Sequence, residues 1–136
     1  MTDRSWTEVQ ALAVKAATGA AVPPAQALAF GAMAARHLAD GGAEAPLAEA
    51  LRNPATILTL AHQIEAAIEA ASVSGETVSI AQPDGAHRAM VISWLASLPC
   101  QAEITTLSDD IRVHLSLKDP STRTRPARVT VGGALF

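Results

Sequence analysis

The sequence predicts an α+β domain: an N-terminal helical hairpin and further helices packed on one face of a small, mainly antiparallel four-stranded sheet. Three observations predict it. Residues 5–42 are dominated by alanine and turn back on themselves at Val22-Pro23-Pro24. The apolar spacing stays helical to about Ser72. Beyond Ser74-Gly75 the period becomes two, apart from one helical return over residues 86–98. The 136 residues read as a single domain, with a helical part over 1–73 and a strand-helix-three-strand part over 74–136.

Taken in order, Ser5-Trp6-Thr7-Glu8 fits a capping box: the Ser5 hydroxyl accepts a free backbone N–H while Glu8 reaches back to the Ser5 N–H. Trp6, Val9, Ala13, Ala16 and Ala17 form an apolar stripe, and Gly19 is placed as a left-handed stop. The second helix starts at Pro23-Pro24, where a missing N–H costs nothing, and ends at Asp40-Gly41-Gly42. Between Ala25 and Leu38 it is apolar almost all the way round, which demands burial on several sides or an interface. Ala27, Gly31 and Ala35 recur every four residues, so another helix can approach closely there, either within the subunit or from a second copy. These three are the interface candidates.

A short helix is expected near Pro46 to Arg52, then Asn53-Pro54 as an N-cap with proline at the first helical position, opening a helix to about Ser72 with Ile57, Ala61, Ile64 and Ile68 inward. Glu76 to Ala81 alternates as a strand, Gln82-Pro83-Asp84-Gly85 makes a turn in which Asp84 serves as an N-cap, and Ala86 to Leu98 is helical. Ala102–Thr106 and Ile111–Leu117 form a hairpin across Leu107-Ser108-Asp109-Asp110. Lys118 to Pro126 is a polar, basic loop, and Ala127, Val129 and Val131 complete the sheet.

At 49% hydrophobic and 17% charged residues, disorder is excluded, and with so few aromatic residues the core must be aliphatic. The lone Cys100 allows no intrachain disulfide or zinc framework, which points to a reducing cytoplasm. No run qualifies as a membrane span. The net charge of −3 conceals −7 over residues 1–110 and +4 over residues 111–136, a split that can attract within a subunit or between subunits. An acidic pI near 5.7 and a basic tail without aromatic residues before Phe136 argue against nucleic acid.

The run Glu8-Val9-Gln10-Ala11-Leu12-Ala13-Val14-Lys15-Ala16-Ala17-Thr18-Gly19-Ala20, followed by an alanine-rich helix ending Ala35-Arg36-His37-Leu38, resembles a family of uncharacterised bacterial proteins, a domain of unknown function. That family opens with a Glu-x-x-Ala-x-Lys-Ala-Ala-x-Gly-Ala run and a second helix rich in Ala. The likeness covers roughly the first 40 residues. The chain departs from the family in being shorter and in the Val22-Pro23-Pro24 turn. The resemblance implies a bacterial, cytoplasmic origin and no particular chemistry.

Candidate binding residues fall in two places. Gly85, His87 and Arg88 stand where a strand hands over to a helix, whose free N–H groups attract anions, but no phosphate-loop pattern accompanies them. Arg123 and Arg125 lie in the basic loop, where guanidinium forks suit carboxylates or phosphates. A third row, Arg112, His114 and Ser116 beside Glu103 and Thr105, reads as a solvated sheet face. His62, Glu65 and Glu69 are too few and too loosely spaced for a metal site, His37 beside Arg36 suits a helix C-terminus, no cofactor motif occurs, and Cys100 has no neighbouring base. The expected role is a non-catalytic, self-associating binding module, a homodimer. The alternative is a small-molecule (anion or phosphate) binder or enzyme using Gly85 to Arg88, assisted by Arg123 or Arg125 from a neighbouring subunit.

Overall fold

The computed structural model describes residues 2–75, 77–81, 85–133 and 135–136. Its elements run β1 (Thr2–Ser5), α1 (Trp6–Gly19), α2 (Pro24–Ala39), α3 (Ala45–Arg52), α4 (Ala55–Ser74), β2 (Val78–Ala81), α5 (Gly85–Ala96), β3 (Cys100–Thr106), β4 (Asp110–Pro120) and β5 (Arg128–Val131). The α+β class holds. The single four-stranded sheet does not: the strands divide into an antiparallel three-stranded sheet ordered β2-β4-β3 and a separate antiparallel ribbon, β1-β5.

The division has a local cause. The expected sheet was to end in residues 127–131, but that segment pairs with the chain's first residues, Thr2 opposite Val131 and Ser5 opposite Arg128. Thr2-Asp3-Arg4-Ser5 carries no apolar alternation, so β1 has no periodic signal in the sequence; it is a strand because β5 supplies the partner. Arg128 reinforces the pairing through a 3.2 Å contact to the Asp3 carboxylate and a 3.0 Å bond to its carbonyl.

The helix ends show how backbone groups are satisfied. Ser5 Oγ accepts the Glu8 N–H at 3.1 Å, one half of the capping box, and its hydroxyl also donates to the Glu8 carboxylate at 3.1 Å. At the other end of α1, the left-handed residue is Ala21 (φ 66°) rather than Gly19. Val22 N–H bonds to Ala17 O and Ala21 N–H to Thr18 O, a Schellman closure. Helix α2 closes in the same way, with Gly41 (φ 82°) in the left-handed position and Gly42 N–H on His37 O at 2.8 Å. Pro54, not Asn53, occupies the N-cap of α4, and no side chain caps it. Asn53 contributes its carbonyl to Thr56 N–H instead. The Gln82–Asp84 turn, with the expected Asp84 cap, and Glu76 lie outside the described residues.

Helix α2 occupies the centre, touching α1, α4, α5 and β5. The contact with α1 is made by the small-residue row. A Cβ placed on Gly31 would lie 2.3 Å from Val14 Cγ2 and 3.0 Å from Gln10 O, so the two backbones approach as they do only because Gly31 has no side chain. Ala27 and Ala35 are completely buried. The interface candidates Ala27, Gly31 and Ala35 therefore pack inside the subunit, and the apolar circumference of α2 is covered by its own chain from Phe30 to Leu38, whereas Leu28 near its start is 60% exposed. Beyond it, α4 and α5 lie on one face of the β2-β4-β3 sheet, where Ile80, Ile111, Val113 and Leu115 are buried. One continuous core runs from Trp6 to Val131, across the 73/74 division.

Candidate functional site

Two of the charged or polar side chains buried in the core, Arg36 and His37, are adjacent on α2 and point to different neighbours. A charged residue in a helix this apolar must find compensating partners or destabilise the core. Arg36 is 7% exposed. Its Nε and Nη2 hold the two Asp40 carboxylate oxygens at 3.0 and 2.6 Å, and Nη1 donates to Thr124 O at 3.0 Å. Its guanidinium carbon lies 5.1 Å from the Trp6 ring centroid, within cation–π range. These three bonds use three of five N–H groups, so two remain to be used.

The 121–126 segment is brought to this point by several ties. Ser121 N–H bonds to Pro99 O at 2.9 Å, Thr122 donates to the Gln101 side chain, Arg36 holds Thr124 O, and Trp6 N–H bonds to Ala127 O at 3.1 Å. Arg125 consequently lies over Trp6, 5.4 Å from the ring centroid. Trp6 itself is fixed by its indole N–H on Gln10 Oε1 at 3.1 Å. The outcome is a recess of about 320 Å³ lined by Trp6, Arg36, Arg123 and Arg125 over an aliphatic floor that includes Ala32 and Leu98. None of the described lining residues is acidic, and neither Arg123 nor Arg125 has a carboxylate partner among the described residues. A cluster of three guanidiniums of which one, Arg36, is paired with a carboxylate, backed by apolar surface, keeps a net positive charge and can take an anionic head group and a small apolar body.

The two halves of the expected anion site are not united within one subunit. Arg88 is spent on the β3–β4 turn, donating to Ser108 O at 3.0 Å and Asp110 O at 2.7 Å. Gly85, His87 and Arg88 open α5, whereas Arg123 and Arg125 stand beside Ala96, at its other end. Arg88 pins a hairpin, and the basic loop finds Arg36 and Trp6 instead. Neither was a candidate from the sequence: Trp6 fits the apolar stripe, and Arg36 fits a helix end. The available signal was the presence of Arg36 in an otherwise apolar helix.

The remaining candidates are surface features. Glu103 registers opposite His114 and Thr105 opposite Arg112 on the open face of the sheet. His62 and Glu65 form an exposed contact of 3.8 Å. Among the described residues there is no group of three metal-ligating side chains, and no helix is long and apolar enough to cross a membrane. Burial pushes the Cys100 thiol up from its ordinary value, which suits a packing role. No protein family, curated protein or solved structure shows significant similarity to the chain.

Proposed function

We propose that the protein is a binding protein for a small organic anion, a carboxylate or phosphate ester, held in the Trp6–Arg36–Arg123–Arg125 recess. The observation that carries this reading is the convergence of three guanidiniums on one cleft whose described lining has no acidic side chain. Arg36 supplies a buried, pre-aimed fork, and Asp40 with Thr124 O keeps it from swinging. Arg123 and Arg125 supply exposed charge that can close over the head group. Trp6 offers a rigid flat wall. The reading keeps the anion-binding alternative drawn from the sequence and moves it away from Gly85–Arg88. A bacterial, cytoplasmic setting belongs to the same proposal. Self-association has less support, because the Ala27–Gly31–Ala35 row of α2 packs within the subunit and part of the charge split is met internally by Asp3 with Arg128.

Titration with phosphate, citrate and benzoate at low salt, followed by calorimetry and tryptophan emission, tests the reading. Saturable binding is expected, weakened ~10-fold by Arg125→Ala and more by the Arg123→Ala/Arg125→Ala pair, the scale of a lost charge-assisted hydrogen bond. Affinity indifferent to both changes, or no binding to any of these anions, rejects it.

A further inference from the structure

Ser93 behaves unlike the other helical hydroxyls that make local bonds. Thr18, Thr59, Ser72 and Ser74 all bond to carbonyls three or four residues back in their own helices. Ser93, in the third turn of α5, instead directs its Oγ across to α2, 3.0 Å from His37 Nδ1. The ring's other nitrogen, Nε2, lies 2.7 Å from Ala43 O. A carbonyl oxygen only accepts, so Nε2 carries the proton, and in the neutral ring Nδ1 presents its lone pair to the Ser93 hydroxyl. The loop after α2 is built around this ring. Gly41 takes the left-handed turn, Ala43 supplies the acceptor, and a Cβ on Gly42 would lie 2.5 Å from the imidazole. An imidazole held in one tautomer by a backbone acceptor, with its free nitrogen on a hydroxyl, is the nucleophile–base–orienter relation of covalent catalysis.

The pair is not sealed in the core. Ser93 and His37 line a recess of about 240 Å³ with Ala89, Ile92, Ala96 and Arg123, and Ser93 retains 8% exposure. Asp40, at the same recess, is already held by Arg36. The geometry points to Ser93 and His37 as a nucleophile and general base that accept the acyl group of a short aliphatic ester, with Arg123 facing the developing oxyanion. Ser93 Oγ attacks the carbonyl carbon and its proton passes to His37 Nδ1. The tetrahedral intermediate collapses by breaking the ester C–O bond, and the departing alkoxide takes the proton from Nδ1. Water, deprotonated in turn by Nδ1, attacks the acyl-serine; the proton returns to Ser93 Oγ as the carboxylic acid leaves. Aliphatic side chains of Ala89, Ile92 and Ala96 select a short, apolar acyl chain. The inference does not depend on anion binding at Trp6, although Arg123 borders both recesses.

The full chain treated with a small alkyl fluorophosphonate, followed by intact mass and peptide mapping, provides the test. A single adduct on Ser93 is expected, absent in Ser93→Ala, together with turnover of p-nitrophenyl acetate that Ser93→Ala abolishes. In Ser93→Cys, the introduced thiol beside His37 is expected to react with iodoacetamide at least ~10-fold faster than Cys100, because the adjacent imidazole favours the thiolate. Arg125→Ala, which weakens anion binding, leaves the labelling intact, so the two readings fail separately. An unlabelled Ser93 in the folded protein, or an introduced thiol no faster than Cys100, overturns the proposal.

Discussion

Arg36 and His37 are neighbours in sequence, both buried, and opposite in how they are satisfied. His37 spends both ring nitrogens on uncharged groups, the buried Ser93 hydroxyl and the carbonyl of Ala43 in the loop after α2, and the ring is wedged against Gly42. Arg36 spends three N–H groups on Asp40, which is 44% exposed, and on the carbonyl of a surface loop. A side chain whose two nitrogens are both taken by uncharged groups ties two helices and a loop together. One whose partners sit at the surface can keep its charge inside while leaving N–H groups for a ligand. The difference between adjacent positions on one helix is thus a difference in what each offers the outside: unused N–H groups and charge from Arg36, and from His37 a ring nitrogen that reaches its recess only through the Ser93 hydroxyl.

Removing the imbedded partner of that comparison should have the larger effect. His37→Ala leaves the Ser93 hydroxyl and Ala43 carbonyl without partners and opens a cavity, an expected loss of about 3 kcal/mol by denaturant unfolding. Gly42→Ala probes the same contact without removing the ring, since its new Cβ meets the imidazole; ~1–3 kcal/mol is expected from overpacking. A near-neutral His37→Ala would mean the ring is not what ties α2 to α5.

Arg36→Met, which keeps the aliphatic stem, is expected to cost less, about 1–2 kcal/mol, because the carboxylate it abandons can be hydrated, unlike the partner of a fully buried pair. Anion affinity should fall further than stability does. If stability drops by more than His37→Ala removes, Arg36 is a core pin like its neighbour and the contrast disappears.

The smallest effect belongs to the exposed cap of α1, which marks the scale for surface polar groups. The Ser5 hydroxyl, then the Ser5 backbone N–H, hold the Glu8 carboxyl below the ordinary carboxylate range. A depressed folded-state pKa contributes stability above the unfolded value that is lost as pH falls through the folded one. The melting-temperature gap between wild type and Glu8→Gln should therefore be present near neutrality, small, and should close on acidification below the usual Glu range. A gap that widens in acid reverses the assignment.

Helices were legible because their signals are local. The Ser5–Glu8 box, the prolines near α2 and α3, and the stripe of α4 each specify themselves within a few residues, and the alternation of Ile111, Val113 and Leu115 does so for β4. Where a second segment decides, legibility ended. β1 is a strand only because β5 lies beside it, and Ala21 takes the left-handed position that Gly19, two residues earlier, was expected to fill. The guanidinium cluster fared likewise: Arg123 and Arg125 stood out from the sequence, but their companions Trp6 and Arg36 are about ninety or more residues away. Trp6 and Arg36 were each accounted for locally, as core and as helix end.

By itself, the sequence determined the α+β class, most helix limits, the central strand and the need to cover α2. Periodicity and caps act over one or two turns, and an apolar surface that wide has to be hidden by something. Tertiary structure alone decided what hides it, which way the last strand turns, and which of the arginines share a cleft. Those outcomes depend on pairings between distant segments, where backbone hydrogen bonds such as Trp6 N–H to Ala127 O are indifferent to side-chain identity and leave no pattern to read.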